Sequence, residues 1–483
     1  MWSLSAAQRA IIVAGCLAAA YTQLTTSPAT VEFARAFGAN ELHIGILGAL
    51  PTLMLFCQFL AAVAVNHLTF RRWVWFSTAL VHRLLLLPVA VGPWLWPEVP
   101  GVVWVWLLLV TTAANQALLH FSSPLWLSWM GDYLPHEGLS RFWGSRQHWM
   151  QWTSAASLGF AAIARQCSGF GAQTDFTLQI VLGTVLGVLD LMCFFRVPEP
   201  PVSHAAVPRW RDVFAEPFRH RNFRRFIGFT CFWHFAAMAG APFISLYLLT
   251  DIGMDLFHVL MLWTASWVGG ALCSHRMGRW SDQYGARPVL VFCVTFKSIN
   301  MVALLLVPRS PEVAFWILVP VFMVDQVLNA GILIANNGFM IKNSPSENRT
   351  MYIAASTAVA GMVGGATSIF AGWGLSQLAG LEWTWLGRTW GHFHVMFAVS
   401  VVLRWIAIAL VRRVREPNSR RTSLIYGEIV ESISLFPIGL YRSFARLEIE
   451  SAIDESEADD ESGAQVPAPH RRRTRRRTFQ RAK

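Results

Sequence analysis

The chain has 483 residues, of which 54% are hydrophobic and 14% charged, with 23 Trp, 33 Phe and a formal net charge of +11. About a dozen stretches of roughly 20 residues each are nearly free of charge, and this excludes a soluble multidomain protein. Because lipid offers no hydrogen-bond partners, these stretches must pair their own backbone groups as helices. The positive charge lies in alternate loops, so it does not indicate a nucleic-acid partner.

The apolar stretches predict an all-α polytopic membrane protein with 12 transmembrane helices. In chain order the predicted spans cover residues 11–30, 42–65, 73–97, 101–130, 147–164, 176–195, 226–250, 256–274, 288–308, 313–341, 351–380 and 389–411. Loops rich in basic residues, such as the one with Arg141 and Arg146, alternate with loops that are poor in them. The basic residues of this second set are Arg35, Arg165, Arg309 and Arg388. By the positive-inside rule, the basic loops and both termini are cytoplasmic, and we expect a multi-pass protein of the bacterial inner membrane.

The second half of the chain weakly repeats the first at an offset of about 210 to 215 residues. The matched positions keep their order: Pro28 with Pro242, His43 with His258, Arg83 with Lys297, and Asn115-Gln116 with Asp325-Gln326. This parallel repeat predicts two six-helix bundles. The predicted domains are an N-terminal bundle over residues 1–196, a cytoplasmic linker over 197–225, a C-terminal bundle over 226–411 and a cytoplasmic tail over 412–483, largely disordered beyond about residue 450.

The loop after the eighth span carries a recognisable motif, Gly278-Arg279-Trp280-Ser281-Asp282-Gln283-Tyr284-Gly285-Ala286-Arg287. Gly-xxx-Asp-xx-Gly-x-Arg at this place resembles the signature loop of the major facilitator superfamily of secondary transporters. With the twelve spans and the repeat, the resemblance covers nearly everything from Ile11 to Val411. In that family the Asp and Arg of the motif brace a cytoplasmic gate, and the resemblance implies this role for Asp282 and Arg287, with Gly278 and Gly285 shaping the loop.

The equivalent loop of the first half departs from that motif. Residues 66–72 keep the basic pair Arg71-Arg72 but lack the Gly and the Asp. The later loop from Gly131 to Arg141 looks like a cytoplasmic segment of some bacterial members of the superfamily. The resemblance extends the gate to Asp132, Glu137 and Arg141, and to their second-half counterparts Glu347 and Arg349. The alternative is that these are ordinary solvated loop charges.

Five ionisable residues fall inside predicted spans, namely Arg83, Asp190, Lys297, Asp325 and Arg404. A charge at membrane depth costs about 2.5 to 3.5 kcal/mol on insertion scales, so each is a candidate for function. Arg83, Lys297 and Asp325 rank highest because they lie near mid-span at repeat-related positions. Asp325 near Lys297 would form a pair whose attraction can be exchanged for a proton or a substrate, although a permanent structural ion pair is the alternative.

Polar residues at helical spacing mark four spans. They predict an aqueous cavity between the halves, with a substrate and coupling site formed by Tyr21, Gln23, Arg83, Asn115, Gln116, His120, His234, Lys297, Asp325 and Asn329. The alternative is that single polar residues hydrogen-bond neighbouring helices, at about 0.6 kcal/mol each. In the eleventh span, Gly361, Gly364, Gly365 and Gly372 are typical of close helix contact.

The resemblance implies a secondary transporter that works by alternating access and takes a small-molecule substrate. Arg83 and Lys297 in the predicted cavity favour an anionic or hydroxyl-rich solute. The sequence motifs of drug-proton antiporters in that family are absent, since the fourth span has no basic residue and the fifth span lacks the Gly-Pro signature. Import of a polar solute such as a sugar or an organic anion is therefore favoured over efflux of amphipathic compounds. Proton or sodium coupling is expected. There is no phosphate-binding loop, zinc spacing or nucleophile elbow, so we expect no cofactor, no metal and no enzymatic activity. The alternatives are a polytopic enzyme acting on lipids and a non-transporting sensor.

Overall fold

The computed structural model describes residues 6–58, 60–61, 71–134, 139–199, 218–343, 349–385 and 387–414, together with 416, 419, 422–424 and 427. The predicted linker therefore lies largely outside the described residues, as does most of the predicted tail. The chain divides into two compact units, residues 1–422 and 423–483, and all helices described below belong to the first.

The first half of the chain contains eight described α-helices. Their bounds are α1 Ala6–Thr25, α2 Pro28–Ala36, α3 Glu41–Leu53, α4 Arg71–Leu84, α5 Leu87–Leu95, α6 Gly101–Tyr133, α7 Leu139–Ser168 and α8 Ala172–Cys193. Short 3₁₀ turns follow α3 at Met54–Phe56 and α8 at Phe194–Arg196.

The described part of the second half repeats this order. Its helices are α9 Arg221–Met238, α10 Ile244–Thr250, α11 Leu256–Tyr284, α12 Ala286–Phe296, α13 Ile299–Leu306, α14 Pro311–Asn343, α15 Arg349–Gln377 and α16 His392–Arg413. A 3₁₀ turn, Ala241–Phe243, precedes α10. A small antiparallel hairpin pairs β1 Glu382–Trp385 with β2 Arg388–Gly391 just before α16.

Within the described ranges, ten helices or consecutive helix pairs are long and apolar enough to cross a membrane. The two remaining predicted spans correspond to the shorter apolar helix Glu41–Phe56 and to α7, a 30-residue helix with polar side chains in its first half. The prediction of an all-α polytopic membrane protein is confirmed, and the twelve-span count is consistent with this arrangement.

Four spans are broken near their middle. The pair α1 and α2 breaks before Pro28, α4 and α5 before Pro88, and α9 and α10 around Pro242, because proline has no N–H to continue the helix. The pair α12 and α13 breaks at Lys297 and Ser298. Each break leaves backbone carbonyl groups without helical partners at membrane depth, so side chains must supply the missing hydrogen bonds.

The two halves meet through two repeat-related helix pairs, α3 with α15 and α7 with α11. The contact of α3 with α15 is made by glycines: a methyl group on Gly45 would lie 2.7 Å from the Ser368 carbonyl oxygen, and one on Gly372 would lie 2.8 Å from the Glu41 carbonyl oxygen. Gly361 and Gly365 are equally close to Thr52 and Leu53. The small residues of α15 therefore bring two backbones into direct contact between the halves.

Candidate substrate-binding and gating sites

A buried polar cluster in the first half is built around Arg83 at the end of α4. The Nη2 atom of Arg83 lies 2.7 Å from Oδ2 of Asp190 on α8, and the two side chains are 9% and 4% exposed. The guanidinium carbon is 4.4 Å from the centre of the Tyr21 ring, and Nη1 is 2.5 Å from Nδ1 of His82. The positive charge of Arg83 is thus satisfied by a carboxylate, a ring face and an imidazole inside this half.

The same cluster pairs the carbonyl groups that the break between α4 and α5 leaves free. Asn115 on α6 donates to the His82 carbonyl oxygen and to the Tyr21 hydroxyl, each at 2.8 Å. Thr184 on α8 donates to the Arg83 carbonyl oxygen at 3.2 Å. Arg83, Tyr21 and Asn115, which we predicted to line a cavity, are therefore brought together, but in a buried cluster within one half.

The second half has a corresponding cluster around Lys297, at the break between α12 and α13. Lys297 Nζ lies 2.8 Å from Oδ2 of Asp325 and donates to the Asp325 carbonyl oxygen, also at 2.8 Å. Arg404 on α16 donates to the Lys297 carbonyl oxygen and to Asn300 Oδ1, both at 2.8 Å. The Asp325 side chain is 22% exposed and that of Lys297 is 8% exposed, while Oδ1 of Asp325 is itself buried and has no hydrogen-bond partner among the described residues.

Thr184 and Arg404 occupy the same position, the thirteenth, of helices α8 and α16. Each donates to the carbonyl group at the broken helix of its own half. Asp190, which pairs with Arg83, and Arg404, which bonds to the Lys297 carbonyl oxygen, are central to the two clusters. From the sequence alone, both rank below Arg83, Lys297 and Asp325. The signal that identifies them is that an isolated charge at membrane depth requires a partner.

The other predicted cavity residues lie apart from these clusters. His120 Nε2 is 2.9 Å from the Pro51 carbonyl oxygen of α3, and His234 Nδ1 is 2.9 Å from the carbonyl oxygen of Thr230 on its own helix. Gln116 is buried, Gln23 is half-buried and Asn329 is exposed. Among the described residues, none of these five is hydrogen-bonded to Arg83, Lys297 or Asp325.

The exposed faces of the long helices α6 and α14 change along their length. In the first part of each helix, the exposed residues include Val103 and Val110 on α6 and Val313 and Trp316 on α14. In the last part of each helix, the exposed residues lie on another face, rotated about the helix axis by roughly 100° to 140° at 100° per residue. These exposed residues are Ser123 and Leu127 of α6 and Asn329, Leu333 and Asn337 of α14. Repeat-related exposure on this second face indicates that the two helices line an opening at their C-terminal ends.

The opposite end of the helices is held together by Arg165, near the end of α7. Arg165 forms an ion pair with Asp175 of α8, lies 3.6 Å from Glu32 of α2 and reaches Asp255, just before α11 in the second half, at 3.4 Å. Together with the glycine contacts of α3 and α15, this network closes the halves on one side. The described helices are therefore closed at the Arg165 end and open at the other.

At the open end, Gly285 separates α11 from α12 with a φ of 100°, a conformation that favours glycine. The next backbone N–H, that of Ala286, lies 3.3 Å from Oε1 of Glu416, and the N–H of Arg287 donates to Oε2 at 2.7 Å. Arg287 Nε also donates to the Val414 carbonyl oxygen at 2.6 Å. The motif loop is thus tied to the segment that follows α16 of its own half.

The first half repeats this arrangement with Glu199. Its Oε1 accepts from the backbone N–H of Arg71 at 2.7 Å and of Arg72 at 3.1 Å. Glu199 and Glu416 stand in the same short pattern, Val-x-Glu-Pro, at the end of each half. Each places a carboxylate on a helix N-terminus, where the exposed N–H groups and the helix dipole favour an anion. Sequence reasoning missed both residues, and the repeated pattern was the available signal.

Several predicted gate residues cannot be placed. Gly278 has open space where a side chain would begin. Six other predicted gate residues lie outside the described part of the chain, either entirely or by their side chains. They are Asp132, Glu137, Arg141, Asp282, Glu347 and Arg349. Their roles remain predictions.

No family model and no curated protein matches the sequence. Solved structures do match. A variant of the nucleoside transporter NupG is 13% identical with a TM-score of 0.66, covering 85% of this chain and 100% of its own. A D-xylose-proton symporter is 15% identical with a TM-score of 0.61, covering 85% and 98%. A bacterial homolog of the human lysosomal transporter Spinster, inward-facing and unoccupied, is 13% identical with a TM-score of 0.57, covering 86% and 95%.

These likenesses cover nearly the whole of each solved transporter, and they show the fold. The chain shares the fold of these solved transporters, in agreement with the all-helical membrane fold that the sequence resemblance predicts. The level of identity carries no substrate from those proteins to this one.

Proposed function

We propose that this protein is a secondary active transporter that moves a small polar solute by alternating access of its two six-helix halves. The observation that carries the proposal is the Lys297–Asp325 pair, because the Asp325 side chain is 22% exposed on the helix whose later residues line the opening. The fold is shared with a nucleoside transporter and a D-xylose-proton symporter, which supports transport of a polar solute.

In the predicted orientation, the open end faces the cytoplasm and the Arg165 end faces outward. The described state is then inward-open, and both termini are cytoplasmic in a bacterial inner membrane. The Arg287 loop and the other predicted gate residues would close the cytoplasmic side in the alternate state. For that state to form, the ion pairs of Arg165 and the contacts of α3 with α15 must open.

Asp325 is the residue we assign to ion coupling. A proton that neutralises its carboxylate removes the attraction holding Lys297, and Lys297 is then free to meet a substrate group. Sodium is the alternative coupling ion, since a carboxylate can also bind it. A membrane enzyme acting on lipids has less support: among the described residues, no group of three or more His, Cys, Asp or Glu side chains could hold a metal ion. His120 and His234 bond to backbone carbonyl groups.

Uptake into proteoliposomes tests the proposal. The purified protein is given labelled uridine, D-xylose and organic anions, with and without an inward proton gradient, and in sodium or potassium buffer. We expect gradient-driven accumulation of at least one solute. In Asp325→Asn, accumulation should fall at least about tenfold while exchange of solute across the membrane without a gradient persists.

Two results would reject the proposal. Accumulation that is unchanged in Asp325→Asn removes the coupling assignment. Failure to move any solute, together with loss of signalling in cells when residues 423–483 are deleted, would identify a sensor. Deletion of those residues in a transporter should leave uptake intact.

A further inference from the structure

Arg146 lies inside the first half of the fold, although the sequence placed it among the basic loop residues. Its guanidinium carbon is 4.9 Å from the centre of the Trp126 ring and 5.5 Å from that of Trp143. Its side chain also fills the space beside Gly15 of α1, where a methyl group would lie 2.7 Å from Arg146 Nε. Two indole faces and a glycine therefore hold the guanidinium in one place.

Arg146 has no bonded carboxylate among the described residues. Arg404 lacks one too, but its Nη1 atom donates to the Lys297 carbonyl oxygen and to Asn300 Oδ1. The Nε atom of Arg146 is buried and has no hydrogen-bond partner. Arg83 is paired with Asp190, and Lys297 is paired with Asp325. Asp190 is close enough to attract Arg146, but its Oδ2 atom is bonded to Arg83. A desolvated cation without a partner is costly, so this arrangement is suited to a ligand that brings its own negative charge.

Arg146 is also accessible from the opening. It is partly exposed, and its partner Trp126 lies on α6 between Ser123 and Leu127, the exposed residues of the last part of that helix. The guanidinium therefore lies beside the part of α6 whose residues are exposed at this end of the helix. In the other half, the partly exposed Asp325 precedes the exposed residues of the last part of α14.

The charges at membrane depth favour an anion as well. In the first half, Arg83 and Arg146 share Asp190, and in the second half Lys297 and Arg404 share Asp325. Among the described residues, each of these two clusters thus contains two cations and one carboxylate. A neutral sugar or nucleoside would leave this excess uncompensated, whereas a carboxylate or phosphate group would balance part of it.

We propose that Arg146 binds the oxyanion group of the transported solute, and that the substrate is an anionic organic molecule carrying a carboxylate or a phosphate. This inference rests on the proposed transport function and narrows its substrate class. The planar guanidinium, held against two rings, presents N–H groups in a fork that matches an oxyanion with two parallel hydrogen bonds. The remainder of the solute would extend toward Lys297 and Asp325.

Matched neutral and anionic probes test the inference. D-glucose is compared with D-glucuronate, and uridine with uridine monophosphate, by thermal stabilisation of the purified protein and by uptake into proteoliposomes. We expect the anionic member of at least one pair to bind, and Arg146→Gln to weaken that binding by about tenfold to a hundredfold. Arg146→Lys keeps the charge but loses the forked N–H groups, so its affinity for the anion should lie between those of the unchanged protein and Arg146→Gln. Arg224→Gln, which removes an exposed arginine, should bind as the unchanged protein does.

Stability without ligand separates a binding role from a structural one. Because Arg146 has no bonded carboxylate, Arg146→Gln should melt at the same temperature as the unchanged protein or higher. A marked fall in melting temperature would identify a structural cation and overturn the inference. So would equal binding of the anion by Arg146→Gln, or binding of the neutral probes alone.

The same measurements distinguish this inference from the proposed function. If only the neutral probes are taken up, and Arg146→Gln does not change this uptake, the inference of an anionic substrate is rejected while the proposed transport function stands. Anion binding that depends on Arg146 without any uptake keeps the site but rejects transport. If only vesicles of anionic phospholipid stabilise the protein, and Arg146→Gln abolishes this effect, the site binds a lipid phosphate. The inference that Arg146 binds the transported solute is then rejected.

Discussion

The two halves of this protein solve one structural problem in the same way and then differ in chemistry. Both break a helix at membrane depth, beside Arg83 and at Lys297, and both cover the freed carbonyl group with a side chain from the last helix of the half. In the first half the side chains of the ion pair are 9% and 4% exposed, whereas in the second half the Asp325 side chain is 22% exposed. The two ion pairs thus hold related positions in the repeat but differ in the burial of their acid.

Removing one carboxylate from each half should have the largest effect on stability, and it tests the difference between the two halves most directly. Asp190→Asn leaves Arg83 desolvated without its partner and should cost about 3–5 kcal/mol of stability. Asp325→Asn should cost less, because the Asp325 side chain is 22% exposed against 4% for Asp190, so solvent weakens its attraction to the cation more. Thermal unfolding in detergent measures both.

A double variant, Arg83→Met with Asp190→Leu, controls the first result. It removes both charges and should recover most of the stability lost in Asp190→Asn, since no unpaired charge is left behind. Equal losses for Asp190→Asn and Asp325→Asn would show that the two pairs are structural to the same degree, and the contrast between the halves would not hold.

The closed end offers a second, smaller effect. Gly372→Ala places a methyl group 2.8 Å from the Glu41 carbonyl oxygen, and such overpacking typically costs about 1–3 kcal/mol. Because this contact exists only while α3 and α15 touch, the cost should fall on the described state and shift the population toward the opposite one. Labelling of single cysteines at the Arg165 end should therefore become faster.

Gly374→Ala is the matched control, because a methyl group at Gly374 has no neighbouring atom within 4 Å. It changes the helix propensity of α15 in the same direction without the clash. If both variants label at the same rate, the glycine contact does not hold the closed end.

The helix N-terminal carboxylates give the smallest effect and the sharpest test of symmetry. Glu199→Ala and Glu416→Ala each remove a carboxylate that accepts from two backbone N–H groups, and each should lower stability by about 1 kcal/mol. Glu98→Ala, at an exposed position, should change little. Thermal unfolding of the three variants checks this, and an effect in only one half would mean that the repeated pattern is not used alike.

Much of the architecture could be predicted from the sequence. Lipid imposes one rule on every segment, so local composition was enough to find helices at the ten long apolar segments and the all-α fold. The repeat and the motif near Arg287 were enough to predict the transporter fold. Polar residues at membrane depth, such as Arg83 and Asp325, could be singled out because each is unfavourable there unless it has a partner or water.

The partners themselves were decided only by the tertiary structure. Arg83 and Asp190 are 107 positions apart, and Arg71 and Glu199 are 128 apart. In the sequence Arg146 lies among loop residues, and only the packing of Trp126 and Gly15 around it makes it a half-buried cation within the bundle. A bilayer selects which residues are apolar one segment at a time, whereas an ion pair depends on distances that exist only after helices from distant parts of the chain have packed.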